Sequence, residues 1–241
     1  MQQEPRSLKP PPHALGLLEA RAPFEGLSLL AGLPWLALAP RGDGHPVMLA
    51  PGYGAGEASM APLAQYLRYL GYGVRQWGLG RNRGRVEQYV YATMDRLRDQ
   101  GAGTTLPPFS LIGWSLGGVV MREVAREAPE LVRSVITLGT PVVGGPKYTR
   151  VASRFAEQQQ LDLDAFEQRV HERNLRGIDV PLTSIYSKTD GIVAWRASVD
   201  HYNEHARNVR VPGSHLGLGV NPVVWRIIAR SLARLPAADG S

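Results

Sequence analysis

The sequence contains no cysteine. Disulfide scaffolds, thiolate nucleophiles and cysteine-ligated zinc or iron–sulfur centres are thereby excluded, and the composition fits a reducing, cytoplasmic setting. Long apolar runs are missing too. The stretch from Gly26 to Ala39 is apolar but too short to span a bilayer comfortably, and Pro34 interrupts it. Ahead of it, Glu19, Arg21 and Glu25 break the run where a signal peptide needs continuity. Dense basic tracts are absent although the net charge is +6 and the pI about 9.8. The arginines are scattered among acids, from Arg75 through Arg81, Arg83 and Arg85 to Arg154, with no aromatic platform between them. No nucleic-acid partner is expected; the charge leaves room for weak attraction to anionic membranes or acidic substrates. There is no P-loop, no HExxH and no repeat of 20–50 residues. The glycines after Pro51 do not make a dinucleotide fingerprint, because Glu57 stands where the third glycine belongs. Neither a metal nor a cofactor is expected.

What is present suits one α/β domain. The chain has 241 residues, 44% hydrophobic and 20% charged, enough to bury a sizeable core. Residues 1–12 are polar and proline-rich and read as a tail. Residues 14–38 read as helical pieces broken at Pro23 and Pro34, an arm packed on the domain. Peripheral membrane contact through 26–39 is the alternative. From residue 46 short apolar runs alternate with helical patterns: strands at 46–52, 72–79, 109–114, 134–141, 182–187 and 206–213, and helices at 58–70, 86–99, 117–127, 147–175 and 221–234. Such alternation predicts an α/β fold, a mostly parallel central sheet with helices on both faces. The expected organisation is an N-terminal tail and helical arm over 1–45 and one domain over 46–241. The 142–180 segment, longer than a usual crossover, is a candidate small helical cap.

Gly113-Trp114-Ser115-Leu116-Gly117 matches G-x-S-x-G. The motif is weak alone, but an apolar strand precedes it and a helical pattern follows. That context predicts a strand, a sharp turn and a helix, with Ser115 held above the carboxyl end of the sheet. A serine hydroxyl needs a base. Of six histidines, His13 and His45 fall in tail and loop, His171 in a polar helix, and His201 and His205 in a polar surface segment. His215 follows a strand and precedes the last helix, on the same sheet edge as Ser115. The acid is expected between them in chain order. Asp190 directly follows a strand; Asp179 precedes that strand, at the wrong edge; Asp200 is the fallback. Asp-Gly is also a common turn pair, so an ordinary turn at Asp190 stays open. Backbone N–H donors for an oxyanion are expected at Leu116 and, in the loop Pro51-Gly52-Tyr53-Gly54, at Tyr53. Arg81 or Arg83 could meet an acidic substrate or simply face solvent.

The segments APGYGAG, LIGWSLGG, YSKTDGIV and VPGSHLGLGVNP, in that order, resemble those of the α/β-hydrolase superfamily, in its lipase and esterase branch typified by small bacterial triacylglycerol lipases. The resemblance covers nearly all of the chain from about residue 46. It implies Ser115, Asp190 and His215 as a catalytic triad, Tyr53 and Leu116 N–H as the oxyanion hole, and a small-molecule or lipid ester as substrate. Pro51-Gly52 departs from the His-Gly of many lipases. Acyl transfer or thioester cleavage by the same triad, and a non-catalytic binding protein on the same fold, are the alternatives. The oligomeric state is not legible.

Overall fold

The computed structural model describes residues 8–101 and 107–234; the first seven residues of the expected tail lie outside that range. Six strands, β1 (Pro46–Ala50), β2 (Gly73–Gln76), β3 (Phe109–Trp114), β4 (Val132–Leu138), β5 (Leu182–Ser187) and β6 (Arg207–Val211), form one sheet. Its order is β2-β1-β3-β4-β5-β6 and every pair is parallel. The α-helices among the described residues are α1 (His13–Leu17), α2 (Ala22–Ala37), α3 (Ala61–Tyr69), α4 (Val86–Gly101), α5 (Leu116–Glu127), α6 (Ala152–Gln159), α7 (Leu163–Leu175) and α8 (Pro222–Ala233).

All five side chains of β1 are buried, as a parallel strand covered on both faces requires. They alternate between two cores. Val47 and Leu49 pack with Leu63 and Leu67 of α3 and Trp225 and Ile228 of α8. Met48 and Ala50 pack with Met94 of α4 and Val120 and Val124 of α5. Burying each large aliphatic side chain contributes about 1.5–3 kcal/mol relative to leaving it in water. The chain leaves β1 toward β2 and then crosses back to β3 on the other side of β1. This reversal opens a crevice at the carboxyl ends of β1 and β3, the place where open α/β sheets hold ligands.

Three elements differ from expectation. The strand expected at 134–141 runs Val132–Leu138 and stops where Gly139 turns to φ +56°. The single helical stretch at 147–175 is two helices, α6 and α7, parted at Gln160 in the left-handed region (φ 51°); Asp162 caps α7, accepting from Asp164 N at 2.8 Å and Ala165 N at 3.2 Å. Pro34 does not break its helix. α2 continues through it to Ala37, because the carbonyl that loses its partner belongs to Leu30, on the solvent side of the helix. Pro23 sits in the first turn of α2, where proline costs no hydrogen bond.

The N-terminal arm lies against the last part of the chain. Gly32 of α2 is so close to Pro222 that a Cβ would come within 2.8 Å of the ring, and Leu36 is buried in the core. The Arg226 guanidinium of α8 sits 4.5 Å over the Trp35 ring. Phe24, Leu27, Leu30, Leu33 and Leu38 point outward and are exposed. Among the described residues no helix is long and apolar enough to cross a membrane.

Candidate active site

Ser115 stands between β3 and α5 at φ 54°, ψ −121°, a strained conformation for a residue with a side chain. The surroundings over-determine it. Ser115 N donates to Leu138 O at 2.8 Å, and Thr140 Oγ1 donates to Ser115 O at 2.9 Å. The flanking glycines are sterically required. A Cβ on Gly117 would lie 2.5 Å from Ala50 O, one on Gly113 would collide with the Gly118 backbone, and one on Gly118 would collide with Thr140 Oγ1. Only hydrogen at these positions lets helix, strand and neighbouring strand approach so closely.

The loop after β1 crosses over the serine: a Cβ on Gly52 would lie 3.3 Å from Ser115 Cβ. Asn82, fully buried, pins this loop. Its Nδ2 donates to Pro51 O at 2.9 Å, its carbonyl accepts from Gly54 N at 2.7 Å, and its own N donates to Ala55 O at 2.9 Å. Among the described residues neither Tyr53 N–H nor Leu116 N–H has an acceptor. Two free donors therefore flank the serine. Arg81 and Arg83, on either side of Asn82, face solvent.

β5 and β6 are adjacent and in register at Ser187 and Val211, so the loops that follow them meet. Asp190 and His215 are both buried, and Asp190 Oδ2 lies 2.7 Å from His215 Nδ1. The other oxygen, Oδ1, accepts from Ile192 N at 2.9 Å and Val193 N at 2.7 Å. Ser187 Oγ and Thr189 Oγ1 each donate to Gly213 O, at 2.6 and 2.9 Å, and tie the two loops together. Trp114, next to the serine, donates from Nε1 to His215 O at 3.3 Å, its ring centroid 6.2 Å from the imidazole. Burial by itself would lower the imidazole pKa. The Asp190 carboxylate, with Glu19 beyond it, outweighs that and holds it above the usual histidine value. The Ser115 hydroxyl makes no hydrogen bond among the described residues.

Ser115, Tyr53, Leu116, Asp190 and His215 thus all lie at the carboxyl edge expected of them. Asp200 does not join them. Its Oδ2 is 2.6 Å from Arg122 Nη1, a buried ion pair under α5. Asp179 is exposed before β5. His45 is buried at the opposite edge, its Nε2 3.0 Å from Ser110 Oγ. The site residues that reading the sequence missed are Asn82, Glu19 and Glu25. Glu19 Oε1 accepts from Gly191 N at 2.7 Å and His215 N at 2.9 Å, and Oε2 accepts from Leu216 N at 2.9 Å. Glu25 accepts from Ser214 N at 2.9 Å and Ser214 Oγ at 2.7 Å. Acids inside an otherwise apolar arm were the available signal, since a buried carboxylate needs donors.

A cavity of about 540 Å³ opens beside the serine. Its floor is Ser115, Leu116 and Val119; its walls include Tyr53, Phe155 of α6, and Phe166 and Val170 of α7. Tyr53 and Phe155 meet edge to face at 5.5 Å between centroids, and Tyr53 OH donates to Gln158 Oε1. The helices inserted between β4 and β5 therefore form part of the cavity. No cluster of three or more His, Cys, Asp or Glu side chains that could hold a metal occurs among the described residues.

A family model described as the alpha/beta hydrolase fold matches residues 45–176. The chain belongs to the α/β-hydrolase family. Solved α/β-hydrolases share its architecture at low identity. A monoacylglycerol lipase from Paleococcus ferrophilus superposes with a TM-score of 0.61 at 16% identity, over 80% of this chain and 96% of that one. A lipase-esterase related protein from Clostridium acetobutylicum gives 0.59 at 18%, over 80% and 94%. A thioesterase domain from the curacin biosynthetic pathway gives 0.55 at 14%, over 81% and 93%. Comparison of the sequence with curated proteins gives no match.

Proposed function

We propose that this α/β-hydrolase cleaves carboxylic esters, as an esterase or lipase, through an acyl-enzyme on Ser115. The observation that carries the reading is the buried Asp190–His215 pair, 2.7 Å apart, on the sheet edge that also carries a strained serine between two free N–H donors. His215 Nδ1 is engaged by Asp190, so Nε2 is the nitrogen left to take a proton from Ser115. Asp190 holds the tautomer and stabilises the imidazolium that forms. The serine oxygen attacks the ester carbonyl. The resulting oxyanion accepts from Tyr53 N–H and Leu116 N–H, whose freedom from other acceptors supports that role. Collapse of the tetrahedral intermediate returns the proton from His215 to the leaving alcohol, and the acyl group stays on Ser115. Water, deprotonated by the same imidazole, then releases the acid.

The apolar walls supplied by Phe155, Phe166 and Val170 support an acyl chain as the group accommodated, with α6 and α7 acting as a cap over it. The same steps would open a thioester or pass the acyl group to another acceptor. Product analysis with water and alcohol acceptors, and with matched thioesters, separates these. The decisive test is labelling by a fluorophosphonate probe. Wild-type protein is expected to be labelled and Ser115→Ala not; an unlabelled wild type, or labelling that survives the substitution, refutes the assignment.

A further inference from the structure

The N-terminal arm carries three charged side chains in an apolar stretch, and all three reach the loops that present Asp190 and His215. Glu19 is buried, and its carboxylate receives three backbone N–H groups: Gly191, directly after the acid, then His215 itself and Leu216. Glu25 receives Ser214 N and Oγ, directly before the base. Arg21 pairs with Glu25 at 2.8 Å and donates to Thr189 Oγ1 at 2.8 Å, directly before the acid. Gly191 is packed so tightly on the arm that a Cβ there would collide with Leu15 O. Hydrogen bonds to an ionised acceptor are short and strong, and a buried carboxylate is tolerated only where such donors converge on it.

We propose that Glu19 is a positioning residue of the reaction centre: its carboxylate locks the acid loop to the base loop and sets a second negative charge behind His215. This rests on the triad reading above. No cation touches Glu19 among its hydrogen-bond partners, so its charge is balanced only by N–H dipoles and acts on the neighbouring imidazole. The charged groups around His215 are Asp190 from the loop after β5, and Glu19, Glu25 and Arg21 from the arm. Glu25 and Arg21 are paired with each other, and Trp114 from β3 is neutral. Glu19 is accordingly the second carboxylate that raises the affinity of His215 for a proton.

The experiment compares Glu19→Gln and Glu19→Asp with wild type. Titration of the His215 ring is followed by NMR on histidine-labelled full-length protein, alongside kcat and KM for a nitrophenyl ester. Glu19→Gln keeps the shape and removes the charge. Its His215 midpoint is expected to fall by roughly one unit, the lower end for a nearby opposite charge. Its kcat is expected to fall on the order of tenfold to a hundredfold, the scale of a misplacement of about 1 Å, with KM within about twofold. Glu19→Asp keeps the charge and shortens the reach; its midpoint stays at the wild-type value while kcat falls. A folded Glu19→Gln with wild-type midpoint and kcat overturns the proposal. If that variant does not fold, a wild-type kcat in Glu19→Asp overturns it. The ring titration needs no turnover, so a midpoint shift in a protein that cleaves no ester would sink the ester reading and leave the charge role of Glu19 standing.

Discussion

At the scale of single residues the site runs on one proton affinity. In the proposed mechanism His215 must be neutral to accept a proton from Ser115, yet the Asp190 and Glu19 carboxylates favour the charged form and hold its pKa above the usual histidine value despite burial. kcat/KM is therefore expected to fall as pH drops, with its acid-limb midpoint above that of an ordinary histidine; a flat profile down to pH 5 contradicts the base role. The sign for stability is opposite. A raised folded-state pKa contributes stability that is fully present below the unfolded value and is lost as pH rises through the folded one. The molecule thus gains activity over the window in which this pair ceases to stabilise it. Replacing Asp190 by Asn is expected to lower kcat by about 10⁴, the cost of a wrong tautomer in a triad. The placement of Ser115, Asp190 and His215 on one sheet edge was legible because each follows a short apolar run and they appear in the order serine, acid, histidine. Glu19 was not, since its partners lie 172 to 197 positions away; no local pattern encodes such a distance.

Among the elements, the helical arm departed furthest from expectation. It was expected as helical pieces packed on the domain, and one side does pack on α8. Pro34 pointed to a break, which solvent exposure of Leu30 makes unnecessary. The outer side remains apolar: Phe24 is 73% exposed and Leu38 75%. The only acid within Ala22–Ala37, Glu25, is turned inward to Ser214. On a chain of net charge +6, an apolar strip without outward acids matches an anionic lipid surface, and we propose that α2 makes peripheral contact with one. Wild-type protein is expected to co-sediment with phosphatidylglycerol vesicles more than with phosphatidylcholine vesicles. The Leu27→Glu/Leu30→Glu double variant should lose that binding and keep its turnover of soluble esters. Equal sedimentation of variant and wild type would refute the contact. The alternation of strands and helices from residue 46 was legible throughout. The carboxyl end of β4 and the division of 147–175 were not, because both depend on left-handed turns, one at a non-glycine residue, Gln160.

For the molecule as a whole, the crevice and the inserted helices α6 and α7 line a chamber beside Ser115 whose walls carry Phe155, Phe166 and Val170. A chamber of about 540 Å³ leaves room beyond an acetyl group. Across nitrophenyl esters from acetate upward, kcat/KM is expected to climb by at most about fourfold per methylene, from ~0.8 kcal/mol for each buried CH₂. A rate that is flat with acyl length would deny the chamber that role. The ties between Glu19 and the loops after β5 and β6 also set an order of events during synthesis. Glu19 leaves the ribosome long before its donors at Gly191, His215 and Leu216 do. At roughly 5–20 residues per second, Glu19 waits on the order of ten to forty seconds with its carboxylate unmatched. A nascent chain therefore carries the strand–turn–helix around Ser115 long before Glu19 and the loops it ties can find one another.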